Sequence, residues 1–175
     1  MLNGVFGIIL NQDNQVLLVL RDDMPLWNLP GGQVESGETF EQALIREIKE
    51  EIDVNIEIVD HIGTYKKNDN NIKVRTYLCS IKQGIPEIKE EGIYLEYFNL
   101  KDLPKNISNK VIMRLRDLAN FNGKIINRVE FGKNCIEVLE SLDKKEIYGL
   151  EKWINHPLVI KKRQRGELRL DIKFT

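Results

Sequence analysis

The chain has 175 residues, 42% hydrophobic and 30% charged, with 26 Lys/Arg against 27 Asp/Glu and a formal net charge of -1. Such a chain suits one folded domain with a proper core, with or without an appendage, and is not disordered. No apolar run approaches the roughly 20 residues needed to span a bilayer, and the two cysteines, Cys79 and Cys135, have no CxxC spacing, which favours a reducing cytoplasm over a zinc site.

The N-terminal stretch MLNGVFGIILNQD has no basic n-region and no small-residue cleavage site, so it reads as a strand rather than a signal peptide. GVFGIIL and QVLLVLR are β-rich runs separated by the turn formers NQDN, which predicts a hairpin. DDMPLWNLPGG then reads as a loop. A helix follows, with Thr39 and Gln42 at capping-box spacing and Glu38 and Glu41 at the positive end of its dipole. NIEIVDHIGTYKK and IKVRTYLCSI alternate like strands around NDNN, and GIYLEYFNL is a further strand stopped by KDLP. SNKVIMRLRDLANF has Val111, Ile112, Leu115 and Leu118 at helical spacing. Strands alternating with helices, with several hairpin signals, give an α/β fold with a mixed sheet.

The last third reads differently. Residues 1–120 carry 14 Lys/Arg against 19 Asp/Glu, net -5, and residues 121–175 carry 12 against 8, net +4. An acidic front does not suit a nucleic-acid surface unless metal ions change its sign. In the tail, NCIEVLESLDKKEIYGLEKWI looks helical, and LVIKKRQRGELRLDIKF looks like two strands around an RG turn. The expected division is a catalytic unit over 1–120 and a basic α+β extension over 121–175. That extension is either a small separate unit or a piece packed onto the main sheet.

The first helix carries the chemistry. With about 100° per residue from Phe40, Leu44, Ile45, Ile48 and Ile52 form an apolar stripe, and Glu47, Glu50 and Glu51 fill an arc beside it. Ala43 lies within that arc and is small enough for another backbone to approach, and Arg46 lies next to it. A solvated acidic face is the simple explanation, but such a face normally mixes signs. Here the nearby cations are Arg46 and Lys49 alone. Glu47 and Glu51 also border the stripe, where an unpaired carboxylate is costly. A hard divalent ion with oxygen ligands and retained waters resolves the conflict. The Gly31–Gly32 pair ahead of the helix lets the chain turn sharply or approach a ligand, and places a backbone carbonyl within reach of a metal.

The stretch GQVESGETFEQALIREIKEEIDV resembles the Nudix box, G-x5-E-x7-R-E-U-x-E-E-x-G-U, where U is a bulky aliphatic residue. Gly32, Glu38, Arg46, Glu47, Ile48, Glu50, Glu51 and Val54 match eight of its nine fixed positions. Asp53 stands where that family has glycine, whose expected role is a left-handed helix cap that Asp tolerates at a cost of about 1 kcal/mol. The resemblance covers residues 4 to about 118. It implies an α/β/α sandwich and metal-dependent hydrolysis of a nucleoside diphosphate linked to some group X. It further implies Glu47, Glu50 and Glu51 as ligands of Mg²⁺ or Mn²⁺, the Gly31 carbonyl as another, Arg46 as the residue orienting the carboxylates, and Glu38 as a structural box residue.

On this reading water attacks phosphorus and a carboxylate accepts its proton. Glu47 is the first choice of base, with Glu90 or Glu91 as distal alternatives. Arg21, at the end of a strand, is a candidate phosphate contact, and Trp27 either stacks on a base or packs. His61 and His156 receive no role. The family markers for ADP-ribose, dinucleoside polyphosphate, coenzyme A and NADH substrates are absent, leaving a MutT-like (deoxy)nucleoside triphosphate pyrophosphohydrolase as the default. Alternatives are a nucleotide-sensing regulator that binds DNA through the basic run KKRQR, a tail used for dimerisation or substrate gating, and an enzyme acting on RNA 5′ ends. Family habit and the unassigned tail favour a homodimer.

Overall fold

Gly4–Ile9 (β1) and Gln15–Arg21 (β2) are joined by a turn in which Asn11 Oδ1 accepts the Asp13 and Gln15 N–H groups. The computed structural model describes residues 3–21, 26–67, 71–89, 92–104, 106–130, 134–140 and 168–173. The two strands meet through a single bridge, Leu10 to Val16, and then enter different sheets. The expected hairpin is therefore only its turn. The run Val16–Leu20 explains why: all five side chains are buried, as in a strand covered on both faces, whereas a two-stranded ribbon would expose one.

The loop expected over 22–32 contains two short strands among its described residues, Trp27–Asn28 (β3) and Gly31–Gln33 (β4). After α1 (Phe40–Ile52) come β5 (Asn55–Lys67), β6 (Lys73–Gln83), β7 (Gly92–Asn99), α2 (Asn109–Ala119) and β8 (Ile126–Glu130), followed by β9 (Asn134–Glu140) and β10 (Leu168–Lys173). A five-stranded mixed sheet runs β4-β1-β6-β5-β8, a three-stranded antiparallel sheet runs β3-β2-β7, and β10 pairs with β9. α1 packs in one core with Val5, Ile9, Leu17, Val19, Tyr77 and Cys79, and α2 packs in a second with Ile8, Val16, Leu18, Trp27 and Leu29. This is the expected α/β/α arrangement.

One expectation for the tail changes: Asn134–Glu140, expected helical, is a strand, and Leu168–Lys173, expected as the second strand of the hairpin, is a strand that runs parallel to it. The alternation of Cys135, Glu137 and Leu139 with Ile136, Val138 and Glu140 has no clean period of either kind, which left that stretch undecidable by pattern. Of the two arrangements open for the tail, residues 126–130 follow the second: β8 adds to β5 in the main sheet, Gly63 opposite Ile126 through Lys67 opposite Glu130. The rest of the predicted helix, the first hairpin strand, the KKRQR run and His156 lie outside the described residues.

Candidate active site

Thr39 starts α1 as expected, with its side chain accepting the Gln42 N–H while the Gln42 side chain accepts the Thr39 N–H. Ala43, Leu44, Ile48, Glu51 and Ile52 are the buried positions, so the covered face is turned toward the carboxylate arc. Ile45, expected in the core stripe, is 46% exposed at its far edge. The rotation has a cause in β4. Gly32 pairs with Val5 and Gly31 with Phe6, which lays a glycine backbone directly over the Glu47–Glu51 side of the helix.

Both glycines are required there. A Cβ on Gly32 would stand 2.4 Å from the Glu47 carboxyl carbon, and one on Gly31, whose φ is +141°, would stand 2.2 Å from the Val5 carbonyl oxygen. In the space they leave, the Gly31 N–H donates to Glu51 Oε2 at 3.0 Å and the Gln33 N–H donates to Glu47 Oε1 at 3.1 Å. Glu51 is thus a buried carboxylate with a backbone donor, and Glu47 is held against β4.

Arg46 is the hub. Its Nε and Nη2 grip both oxygens of Glu38 at 2.8 and 2.9 Å, its Nη1 reaches Glu47 Oε1 at 3.0 Å and Glu50 Oε2 at 3.1 Å, and its Nη2 also donates to the Gln33 carbonyl at 3.0 Å. The bidentate fork suits guanidinium geometry. It holds the Glu38 carboxyl down at about 2, chiefly by hydrogen bonding, and the three carboxylates raise the already high pKa of the guanidinium. Arg46 thus contacts Glu38, Glu47 and Glu50 at once. Gln33, which the sequence reading passed over, serves both Arg46 and Glu47 through its backbone; no side-chain pattern marks such a residue.

Among the described residues no three Asp, Glu, His or Cys side chains converge as a closed ion cage. The donor set still fits a hard divalent cation: three carboxylates, Glu38, Glu47 and Glu50, meet one guanidinium, Glu51 lies beside them, and the bonds from Gln33 and Arg46 to Glu47 both fall on Oε1. Mg²⁺ commonly takes only one or two carboxylates and keeps several waters, so an open acidic face suffices. Glu47, Glu50, Glu51 and the Gly31 carbonyl are the groups that could hold it.

Trp27 lies apart from this group, in the core under α2. It is buried and edge-on to Phe98, ring centroids 4.8 Å apart. Of its two expected roles, packing is the one the structure supports, and base stacking is withdrawn. Arg21 closes β2 opposite Gly92. Glu90 and Glu91 lie outside the described residues. His61 stacks on Tyr77 on the β5–β6 surface. Burial pushes the Cys79 thiol up to about 12, which makes it an inert core group.

The model for the NUDIX domain matches residues 2–115. A putative 8-oxo-dGTP diphosphatase of Bacillus subtilis is 50% identical over 81 residues, 46% of this chain and 54% of that protein. An ADP-ribose pyrophosphatase of Methanocaldococcus jannaschii is 34% identical over 109 residues, 58% of this chain and 64% of that one. The chain thus spans about half to two thirds of the length of these two relatives. In fold, a NUDIX hydrolase from Nitrosomonas europaea superposes with a TM-score of 0.62 at 18% identity, covering 74% of this chain and 80% of that one. Among the described residues no helix is long and apolar enough to cross a membrane.

Proposed function

The chain belongs to the Nudix family, and on that premise we propose that it hydrolyses a phosphoanhydride bond of a nucleoside diphosphate linked to X, using Mg²⁺ or Mn²⁺ held by Glu47, Glu50, Glu51 and the Gly31 carbonyl. The observation that carries the proposal is the convergence of three carboxylates on one arginine, with a fourth, Glu51, held by the adjoining glycine backbone. The bound ions would neutralise diphosphate charge and acidify a water. The chain's own part begins with Arg46, which fixes Glu47 and Glu50 in place and is itself fixed by Glu38 and the Gln33 carbonyl. Glu51, restrained by the Gly31 N–H, cannot swing away from the glycine turn.

Glu47 accepts the proton of the attacking water at Oε2. Its other oxygen is engaged by Arg46 and Gln33, so only Oε2 lacks a hydrogen bond among the described residues. As the oxygen of water bonds to one phosphorus, the bond from that phosphorus to the bridging oxygen breaks, and the other phosphate leaves carrying the bridging oxygen. A carboxylate so placed is worth about 10² to 10⁴ in rate.

The finer reading is a MutT-like (deoxy)nucleoside triphosphate pyrophosphohydrolase, with oxidised purine triphosphates among its substrates. The name carried by the Bacillus subtilis relative supports this, and the pyrophosphatase from Methanocaldococcus jannaschii names the main competitor, ADP-ribose. The test is phosphate release, coupled to inorganic pyrophosphatase for pyrophosphate and to phosphatase for monoester products, with Mg²⁺ or Mn²⁺ and nucleoside triphosphates, 8-oxo-dGTP, ADP-ribose, nucleotide sugars or dinucleoside polyphosphates, with Glu50→Gln as control. Turnover of triphosphates that the substitution abolishes supports both levels of the proposal. Turnover of ADP-ribose alone overturns the finer one, and no metal-dependent turnover overturns both.

A further inference from the structure

The one box position where this chain departs from the pattern is Asp53, and the structure gives that residue contacts a glycine could not make. Asp53 caps α1 in the left-handed region, φ 55° and ψ 35°, with its N–H donating to the Lys49 carbonyl. Its carboxylate takes Lys49 Nζ at 2.6 Å on one oxygen and stands 3.7 Å from Lys89 Nζ on the other. The two lysines hold its carboxyl below the usual range, chiefly through the hydrogen bond from Lys49.

Lys89 belongs to the segment after β6 that covers the end of the helix. The last carbonyls of a helix have no partners within it. Here the Lys89 N–H donates to the Glu51 carbonyl and the Glu87 N–H donates to the Ile52 carbonyl, both at 3.0 Å. Ile88, between them, packs against the α1 core. Gly84, φ +99°, makes the crossing feasible, because a Cβ there would stand 3.0 Å from the Asp53 carbonyl oxygen. The segment 84–89 is thus a strap over the final turn of α1. It bonds directly to the backbone of Glu51 and lies one residue beyond Glu50.

We propose that Asp53 is a positioning residue: through Lys89 it ties the strap to α1 and so fixes the backbone from which Glu50 and Glu51 present their carboxylates. This rests on the reading of those carboxylates as the metal-binding set. Because both ion pairs are half exposed, the expected effects are modest, about two- to fivefold. They have a signature, however. Asp53→Gly removes the left-handed strain of Asp along with the ion pairs, so stability should hold or rise while site function falls.

The experiment compares the full-length protein with Asp53→Asn, Asp53→Gly, Lys89→Gln and the double variant Asp53→Asn/Lys89→Gln. Lys89→Arg is the conservative rescue, and Lys82→Gln, which breaks the ion pair with Glu57 across the neighbouring β5–β6 pair without touching Asp53 or Lys89, is the control. Three quantities are read: amide exchange at Glu87 and Lys89, Mn²⁺ affinity from the free-ion paramagnetic resonance signal, and melting temperature. The expected result is faster exchange and about two- to fivefold weaker Mn²⁺ binding in each Asp53 variant and in Lys89→Gln. The double variant should be no worse than the singles, Lys89→Arg and the control should match wild type, and Asp53→Gly should not melt lower. Unchanged exchange overturns the strap. Faster exchange with unchanged Mn²⁺ affinity overturns the positioning role. Failure of the wild type to bind Mn²⁺ overturns the metal reading as well, whereas Mn²⁺ binding without turnover of any substrate would leave the strap standing and fault the hydrolase assignment alone.

Discussion

Arg46 and Arg128 both organise carboxylates, in two different parts of the molecule, and their partners differ in number. Arg46, on α1, faces Glu38, Glu47 and Glu50, with Glu51 beside them. Arg128, on β8, grips both oxygens of the Asp117 carboxylate on α2, which also accepts from the Tyr65 hydroxyl. Asp117 is 1% exposed, and its charge is matched. Burial and the Asp117 carboxylate push the Tyr65 hydroxyl well above its ordinary pKa, so it remains a donor to that carboxylate. A matched pair in a sealed place is what a structural tie needs. An arginine shared by three carboxylates along an open helix face is the arrangement that would favour a further cation.

Four substitutions sharpen or break this contrast. The largest effect is expected from Glu47→Gln, which should lower kcat by about 10² to 10⁴ while leaving the melting temperature nearly unchanged. Steady-state kinetics beside calorimetry check it; a matched loss of stability would make Glu47 a structural residue. Arg128→Met should do the reverse. Leaving Asp117 buried without its cation should cost about 3 kcal/mol, near the low end for a broken buried pair because Arg128 is itself half exposed, and Mn²⁺ affinity should be retained. Denaturant unfolding measures the first and metal titration the second.

Gly32→Ala comes next. Its φ is ordinary, so no backbone strain arises, but its Cβ must displace the Glu47 carboxylate. A shift of that order is expected to cost about 10²-fold in rate with little change in melting temperature. The smallest effect is Thr39→Ala, which removes the α1 cap and should cost about 1 kcal/mol in denaturant unfolding. An acid titration extends the same comparison. Because Arg46 lowers the Glu38 carboxyl to about 2, the contribution of that contact should be complete above the ordinary carboxylate range near 4.5 and fade as pH falls toward 2. The Glu38 carboxyl resonance followed by NMR reports it directly, and an unperturbed titration would sever the Glu38–Arg46 contact.

The half of the molecule that carries α1 was legible because its signals are local. The capping box, the carboxylate spacing and the left-handed cap at Asp53 all lie within 24 residues of chain and appear where expected. The departures were non-local. Whether β1 and β2 pair along their length depends on which strands arrive later, and no property of GVFGIIL or QVLLVLR announces that β6 and β7 will take those edges. Ile45 is exposed because β4 rolls the covered face toward the carboxylates, a consequence of pairing between residues 4–6 and 31–33. Trp27 looked free to stack because the aromatic partner that buries it, Phe98, is 71 positions away in sequence. The Asp117–Arg128 tie was invisible for a related reason. Asp117 fell on a helix face that reads as polar, and Arg128 lay in a segment that pattern alone left unassigned.

The central claim is that the carboxylates of α1 around Arg46 bind a divalent cation, and Mn²⁺ titration followed by the paramagnetic resonance of the free ion tests it without any assumption about substrate. The account predicts saturable binding in the wild type, retained in Arg128→Met and lost or greatly weakened in Glu47→Gln and Glu50→Gln. A wild type that leaves Mn²⁺ free, or binding that survives both glutamate substitutions undiminished, would contradict it.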